Sequence, residues 1–200
     1  MILGGLQTCS FSNYPAKTAA VVFTQGCNFR CPFCHNGSLL QTKSKGTLSE
    51  KYFFEFLKKR IGLLDGVVIS GGEPTLQNDL ARFIACIKEL GFAVKLDTNG
   101  SNPTMVEKLL SGNLIDYIAM DIKAPLEKYD TLCGRQVDIA NIRTTISLIS
   151  TGSIAHHFRT TKVDTLLTPG DILQIQSLVP QKSGHTLQTF IPEIALQAFW

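Results

Sequence analysis

Short apolar runs alternate with amphipathic stretches along most of this chain. The runs predict strands at "AAVVFT" (19–24), "GVVIS" (66–70), "FAVKLDT" (92–98), "IDYIAMDI" (115–122), "HHFRTTKV" (156–163) and "TLQTFI" (186–191). The first two are almost continuously apolar, as expected of parallel strands buried on both faces. Between the runs, apolar residues recur with helical spacing over 48–60, 77–90, 103–110, 138–150 and 169–179. Punctuation supports three of these helices. Thr47-Leu48-Ser49-Glu50 is an N-cap signal, Gly91 follows Leu90 as a C′ glycine, and Asn102-Pro103 sets proline at a first turn.

Repeated strand–helix alternation predicts an α/β fold with a parallel sheet. The sheet is either open and doubly wound or closed toward a barrel, with too few units for eight strands. In both arrangements chemistry belongs to the loops after the strands' C-terminal ends. After the first four predicted strands those loops read "GCNFRCPFCHNG", "GGEPT", "NGSNP" and "KAPLE". The unusual residues of the chain gather there.

Composition narrows the classes. Two hundred residues, 44% apolar and 18% charged, make a globular chain of one domain (1–200) with a sizeable core. A net charge of +3 without a dense Lys/Arg cluster gives no support for nucleic-acid binding. No run of about 18 apolar residues predicts a membrane span. The opening "MILGGLQTCSFSNYP" lacks the basic and apolar regions of a signal peptide, so a cytoplasmic protein is expected. Thiols stay reduced in that compartment. Cys9, Cys27, Cys31, Cys34, Cys86 and Cys133 are then read as metal-binding, catalytic or buried rather than as a disulfide framework.

Cys27, Cys31 and Cys34 form a Cys-x3-Cys-x2-Cys triplet in one loop. Structural zinc sites and ferredoxin clusters use four protein ligands. Three thiolates on a 4Fe–4S cube leave one iron open, and an open position is where substrate chemistry takes place. A closed alternative remains. His35 could complete a Cys3His zinc site, although its adjacency to Cys34 makes joint ligation awkward. Cys133, read as a loop residue, is another possible fourth ligand. Cys86 lies in the apolar pattern of a helix and is expected to be a small buried hydrophobe. Cys9 is expected to be free.

Three further motifs end strands. In "SGGEPT" (70–75), Gly71 and Gly72 allow close approach of a ligand and positive φ, and Glu73 can accept from an ammonium group. An ordinary strand-to-helix turn is the plainer reading. In "LDTNG" (96–100), Asn99-Gly100 resembles a hairpin turn, but the helical pattern after it favours a βα loop, and Asp97 could be a simple cap. In "AMDIKAP" (119–125), Asp121 and Lys123 lie two apart and share a strand face, as a plain ion pair would. His156 and His157 fit a surface or core role better than ligation.

The cysteine triplet resembles the signature of the radical S-adenosylmethionine (SAM) enzymes, and "GGE", "DTNG" and "DIK" resemble their glycyl-radical enzyme activating subgroup. The similarity is strongest over residues 4–125. Its opening is especially similar to the activating proteins of anaerobic ribonucleoside-triphosphate reductase. The resemblance implies a partial (β/α)6 TIM-like barrel of the radical SAM type. It implies a 4Fe–4S cluster on Cys27, Cys31 and Cys34, with SAM on the open iron. Phe33 would lie near the adenine, and Gly71, Gly72 and Glu73 would hold the methionyl amino group. Matched to the pyruvate formate-lyase activating enzymes, Asp97, Asn99 and Asp121 belong to the SAM and monovalent-cation site. Asp97 and Asp121 would give carboxylates to the cation, joined by the carbonyls of Thr98 and Ala119. Lys123 would contact the methionyl carboxylate, and Arg159 would lie near SAM. The implied partners are a glycyl-radical enzyme and flavodoxin or ferredoxin as electron donor. Two other functions compete: a radical SAM enzyme acting on a small molecule, such as a 7-carboxy-7-deazaguanine synthase, and a non-enzymatic Fe–S or zinc protein.

Overall fold

The computed structural model describes residues 1–41, 47–192 and 195. One seven-stranded sheet organises them, with neighbours in chain order. The strands are β1 (Leu3–Ser10), β2 (Ala19–Thr24), β3 (Gly66–Gly71), β4 (Ala93–Thr98), β5 (Tyr117–Asp121), β6 (Ala155–Lys162) and β7 (Gly184–Thr189). From β2 to β7 every pairing is parallel, while β1 runs antiparallel to β2 at one edge. All six expected strands form, with ends shifted by up to two residues.

The helices are α1 (Glu50–Lys58), α2 (Leu80–Glu89), α3 (Pro103–Ser111), α4 (Tyr129–Cys133), α5 (Ile139–Thr151) and α6 (Pro169–Leu178). Their starts follow local chemistry. Ser49 accepts from the Tyr52 amide at 3.2 Å and Asn102 from the Met105 amide at 3.2 Å. At α6, Thr168 and Asp171 satisfy each other's amides in a capping box. Such caps answer amide groups that the first turn of a helix leaves without partners.

Alternation along the strands makes two layers. Val22, Ile69, Leu96, Met120 and Phe158 face outward and pack with Phe53, Phe83, Ile87, Leu109 and Ile149 of the helices in the main core. The inner face carries a smaller plug of Tyr14, Ala19, Val21 and Val68, against which Phe23 and Tyr117 pack. Above that plug, toward the C-terminal strand ends, the inner positions turn polar.

Strand β1 lay outside the sequence expectation. Its "LGGLQTCS" holds a glycine pair and no clean alternation, both unfavourable strand signals. It forms because it pairs with β2, with register shifts near both ends. Of the terminal "ALQAFW" (195–200) only Ala195 belongs to the described residues, and it is buried. Among the described residues no helix is long and apolar enough to cross a membrane.

Candidate active site

A cavity of about 320 Å³ opens at the C-terminal ends of the strands. Cys27, Cys31, Phe33 and Cys34 line it from the loop after β2. Gly71, Gly72 and Glu73 line it after β3, with Asp97 and Asn99 at the end of β4. Asp121 and Lys123 after β5 and Arg159 on β6 complete the set. The structure therefore brings together every site residue that the sequence nominated.

The cysteine loop is pinned at several points. The Gly26 amide donates to the Leu39 carbonyl at 2.7 Å, and the Gly26 carbonyl accepts from the Glu73 amide at 2.8 Å. A turn follows, in which the Cys34 amide reaches the Cys31 carbonyl at 3.1 Å. The Arg30 guanidinium holds the carbonyls of Cys27 and Phe29, each at 2.7 Å. Cys27 Sγ accepts from the Phe29 amide at 3.3 Å, and Asn99 Nδ2 lies 3.9 Å from it. Burial pushes the Cys27 thiol up to about 12, with Glu73 adding to the effect, and burial also raises Cys34.

Cys133 is neither a loop residue nor a cavity-lining one. It closes the short helix α4, is fully buried, and its thiol hydrogen-bonds to Cys31. That bond draws the Cys31 pKa down against burial and pushes Cys133 up. The main chain repeats the contact, since the Arg30 amide donates to the Cys133 carbonyl at 2.7 Å. Cys133 thus backs the loop from behind. His35 stacks on Phe190 with ring centroids 5.7 Å apart. Cys86 is half-buried rather than fully buried, and Cys9 is exposed and free.

Gly71 and Gly72 have distinct reasons to be glycine. Gly71 has φ +115°, and a Cβ there would meet the Thr24 amide nitrogen at 2.3 Å. A Cβ on Gly72 would stand 2.1 Å from the Gly26 carbonyl oxygen, on the cysteine loop itself. Gly72→Ala is expected to push the two loops apart and to destabilise the protein by ~2 kcal/mol or more. For a chain of this size that lowers Tm by roughly 4–8 °C, readable by thermal melting.

Glu73 is 1% exposed. Its Oε1 accepts from the Thr75 amide at 3.1 Å, the Thr75 hydroxyl at 2.5 Å and the Thr98 hydroxyl at 2.8 Å. Its Oε2 accepts from the Asn99 amide at 2.6 Å. Burial raises its pKa, opposed by these bonds. Glu73 therefore clamps the β3 and β4 loops together as well as facing the cavity. Asn99 extends the network, donating to Asn28 Oδ1 at 2.9 Å.

Asp97 and Asp121 share one guanidinium. Arg159 Nε lies 2.7 Å from Asp121 Oδ1, and its NH1 lies 3.3 Å from Asp97 Oδ2. Lys123 Nζ lies 2.9 Å from Asp121 Oδ2. Burial disfavours the Asp121 charge, but Arg159 and Lys123 outweigh it and hold the carboxyl well below the usual range. Asp97 is therefore an ion-pair member and not a cap. The sequence reading missed its second partner, Lys95, whose ammonium pairs with Asp97 Oδ1. A lysine two residues before an acid in an apolar strand was the available signal, because positions i and i+2 share a face.

Beneath this layer, His157 Nδ1 lies 2.9 Å from the Tyr117 hydroxyl. Burial, then the Arg159 and Lys95 charges, lowers the His157 pKa from 6.5 to about 4 despite Asp97 and Asp121. The unfolded chain takes up this proton below about pH 6.5, whereas the folded one refuses it until about pH 4. Stability is therefore expected to fall as pH drops through that window, by on the order of 1–2 kcal/mol after solvent screening. Urea unfolding at both ends of the window should show this loss in the protein and a smaller one in His157→Asn. His156 bonds Ser183 Oγ at 2.8 Å and is structural.

These residues suit a cluster and a zwitterionic ligand. Among the described residues no three His, Cys, Asp or Glu side chains converge on one ion. Cys27, Cys31 and Cys34 line the cavity together from one loop, and thiolates are the ligands that suit an iron–sulfur cluster. Acidic and basic side chains line the same cavity, complementary to the ammonium and carboxylate of an amino acid.

Fold and site together define an α/β-barrel enzyme with its cofactor pocket at the strand ends. The family model described as the radical SAM superfamily matches residues 21–171, and the chain belongs to that superfamily. A Methanocaldococcus jannaschii protein provisionally named a glycyl-radical enzyme activating enzyme is 36% identical over 201 residues, covering 97% of this chain and 82% of the relative. A pyruvate formate-lyase-activating enzyme from Listeria monocytogenes is 35% identical over 113 residues, covering 52% of this chain and 46% of that protein. Among solved structures, Streptococcus suis SuiB superposes with TM-score 0.68 at 14% identity, over 90% of this chain and 40% of its own. TYW1 with a lysine-pyruvate adduct superposes with TM-score 0.61 at 22% identity, over 80% of this chain and 60% of its own. Both neighbours share the partial TIM-like barrel. The chain spans less than two thirds of either of them.

Proposed function

We propose that the 200 residues act as a single radical SAM domain that activates a glycyl-radical enzyme, anaerobic ribonucleoside-triphosphate reductase being the expected partner. Cys27, Cys31 and Cys34 would hold a 4Fe–4S cluster. When bound, that cluster would supply the single electron for cleavage of SAM to methionine and a 5′-deoxyadenosyl radical, which would take the Cα hydrogen of one partner glycine. Phe33, 3% exposed against the same cavity, would pack on the adenine. The Gly71-Gly72 backbone would admit the methionyl ammonium beside Glu73 and Asn99. Lys123 and Arg159 would face the methionyl carboxylate. Flavodoxin or ferredoxin would deliver the electron, in the cytoplasm.

The observation that carries this reading is the convergence of three thiols with Glu73, Lys123 and Arg159 on one strand-end cavity. The glycyl-radical assignment draws support from the M. jannaschii relative, which is matched over nearly the whole chain. The test is anaerobic reconstitution, reduction and addition of SAM. 5′-Deoxyadenosine should form, and a candidate reductase added next should show a glycyl-radical EPR doublet. A loaded, reduced cluster that leaves SAM intact would sink the enzyme reading. Consumption of a small molecule without any such doublet would move the assignment to small-molecule chemistry.

A further inference from the structure

We infer that the Lys95 ammonium replaces a monovalent metal ion beneath Asp97, so that this protein binds SAM without one. The inference rests on the SAM reading above. The family resemblance assigns Asp97 and Asp121 to a metal cation, yet their surroundings in this chain do not fit one. Each of the four carboxylate oxygens already has a cationic partner. Asp97 takes Lys95 Nζ on Oδ1 and Arg159 NH1 at 3.3 Å on Oδ2. Asp121 takes Arg159 Nε at 2.7 Å on Oδ1 and Lys123 Nζ at 2.9 Å on Oδ2. Two negative charges thus face three positive ones, and an added metal cation would meet like charges on every side.

Lys95 is the decisive member because it has nowhere else to go. It is 1% exposed and points inward from β4, with Val68 and Tyr117 beside it on the neighbouring strands. The inner apolar plug contains Val68, and Tyr117 packs against it. An ammonium buried there is tolerated only when paired, and burial already lowers its pKa against the pull of Asp97. A metal ion that displaced it would leave an uncompensated charge in the barrel interior. Arg159 and Lys123, by contrast, line the cavity and remain within reach of a ligand carboxylate.

The test is equilibrium binding of labelled SAM to the reconstituted protein in potassium, sodium or tetramethylammonium chloride at equal ionic strength. The three dissociation constants should agree within about twofold. A tenfold or greater weakening in tetramethylammonium, restored by potassium or sodium, would overturn the inference. No binding in any salt would overturn the SAM reading, and the inference with it. Melting of the metal-free protein gives a second readout, and Tm should be the same in all three salts. Lys95→Met frees Asp97 and should acquire a Tm that rises with potassium or sodium. A Lys95→Met protein that melts alike in all salts and binds SAM like the parent would also overturn the inference. Should that variant fail to fold, the parent protein's salt series decides alone.

Discussion

Cys31→Ala is expected to abolish both iron–sulfur loading and SAM cleavage. The variant should lack the cluster's visible absorption after anaerobic reconstitution, and 5′-deoxyadenosine should stay at background. On the proposed reading three thiolates would hold the cube with one iron to spare, and two would not suffice to anchor it. The near neighbour Cys133 offers a possible rescue, because its thiol bonds directly to Cys31. The geometry argues against it. Cys133 is fully buried on α4 and lies behind the loop, outside the cavity lining. Moving its sulfur to the front would require unwinding α4 and breaking the Arg30–Cys133 main-chain bond. Cys133→Ala supplies the contrast. Changes to groups that orient metal ligands typically cost about 10–100-fold in affinity or activity. That variant should therefore load a cluster with altered stability or potential, where Cys31→Ala loads none. Loading of Cys31→Ala with none in Cys133→Ala would mean that Cys133, not Cys31, is the ligand.

Much of this arrangement could be read from sequence for a physical reason. Parallel strands buried on both faces leave nearly unbroken apolar runs, so β2 and β3 stand out in the chain. The barrel topology then collects the loop residues after each strand on one end, which is why distant motifs such as Cys27–Cys34 and Asp121–Lys123 meet. Legibility failed where local sequence carries little information. Strand β1 depends on β2 for its pairing, and α4 is a single short turn closed by Gly134 at φ +60°. Neither reveals itself through periodicity. Lys95 was hidden differently. Its strand is legible, but a single lysine in an apolar run reads as an exposed edge residue unless the period of two is used to place it beside Asp97 inside the barrel. Glu73 illustrates a third case. The motif identified a carboxylate at the site, while its four donors lie on two loops that only the fold brings together.

Glu73→Gln is expected to damage stability and ligand binding together, despite its near-identical shape. The carboxylate is surrounded by donors alone: two backbone amides and two hydroxyls. A glutamine offers one acceptor oxygen, and its NH2 must face a donor whichever way it is turned. If the oxygen keeps the Thr75 and Thr98 bonds, the Asn99 amide is left opposing an NH2. If it keeps Asn99, the NH2 opposes the Thr75 amide, while the Thr75 and Thr98 hydroxyls must turn to accept from it. A buried donor stranded in this way costs about 1–3 kcal/mol, and bonds to a charged acceptor lie at the upper end. The loss should appear in urea unfolding of the metal-free protein, where no cofactor intervenes. Binding should suffer beyond that loss. The Asn99 amide fixes the start of the "NGSNP" loop, whose Asn99 side chain touches both Asn28 and Cys27. A shift there moves the cysteine loop and the cavity wall beside Glu73 at once. SAM affinity should therefore fall even in a Glu73→Gln sample that is fully folded and cluster-loaded. Unchanged stability with weakened binding would mean that Glu73 meets the ligand without clamping the loops. Weakened stability with unchanged binding would reverse that, leaving the clamp as its entire role.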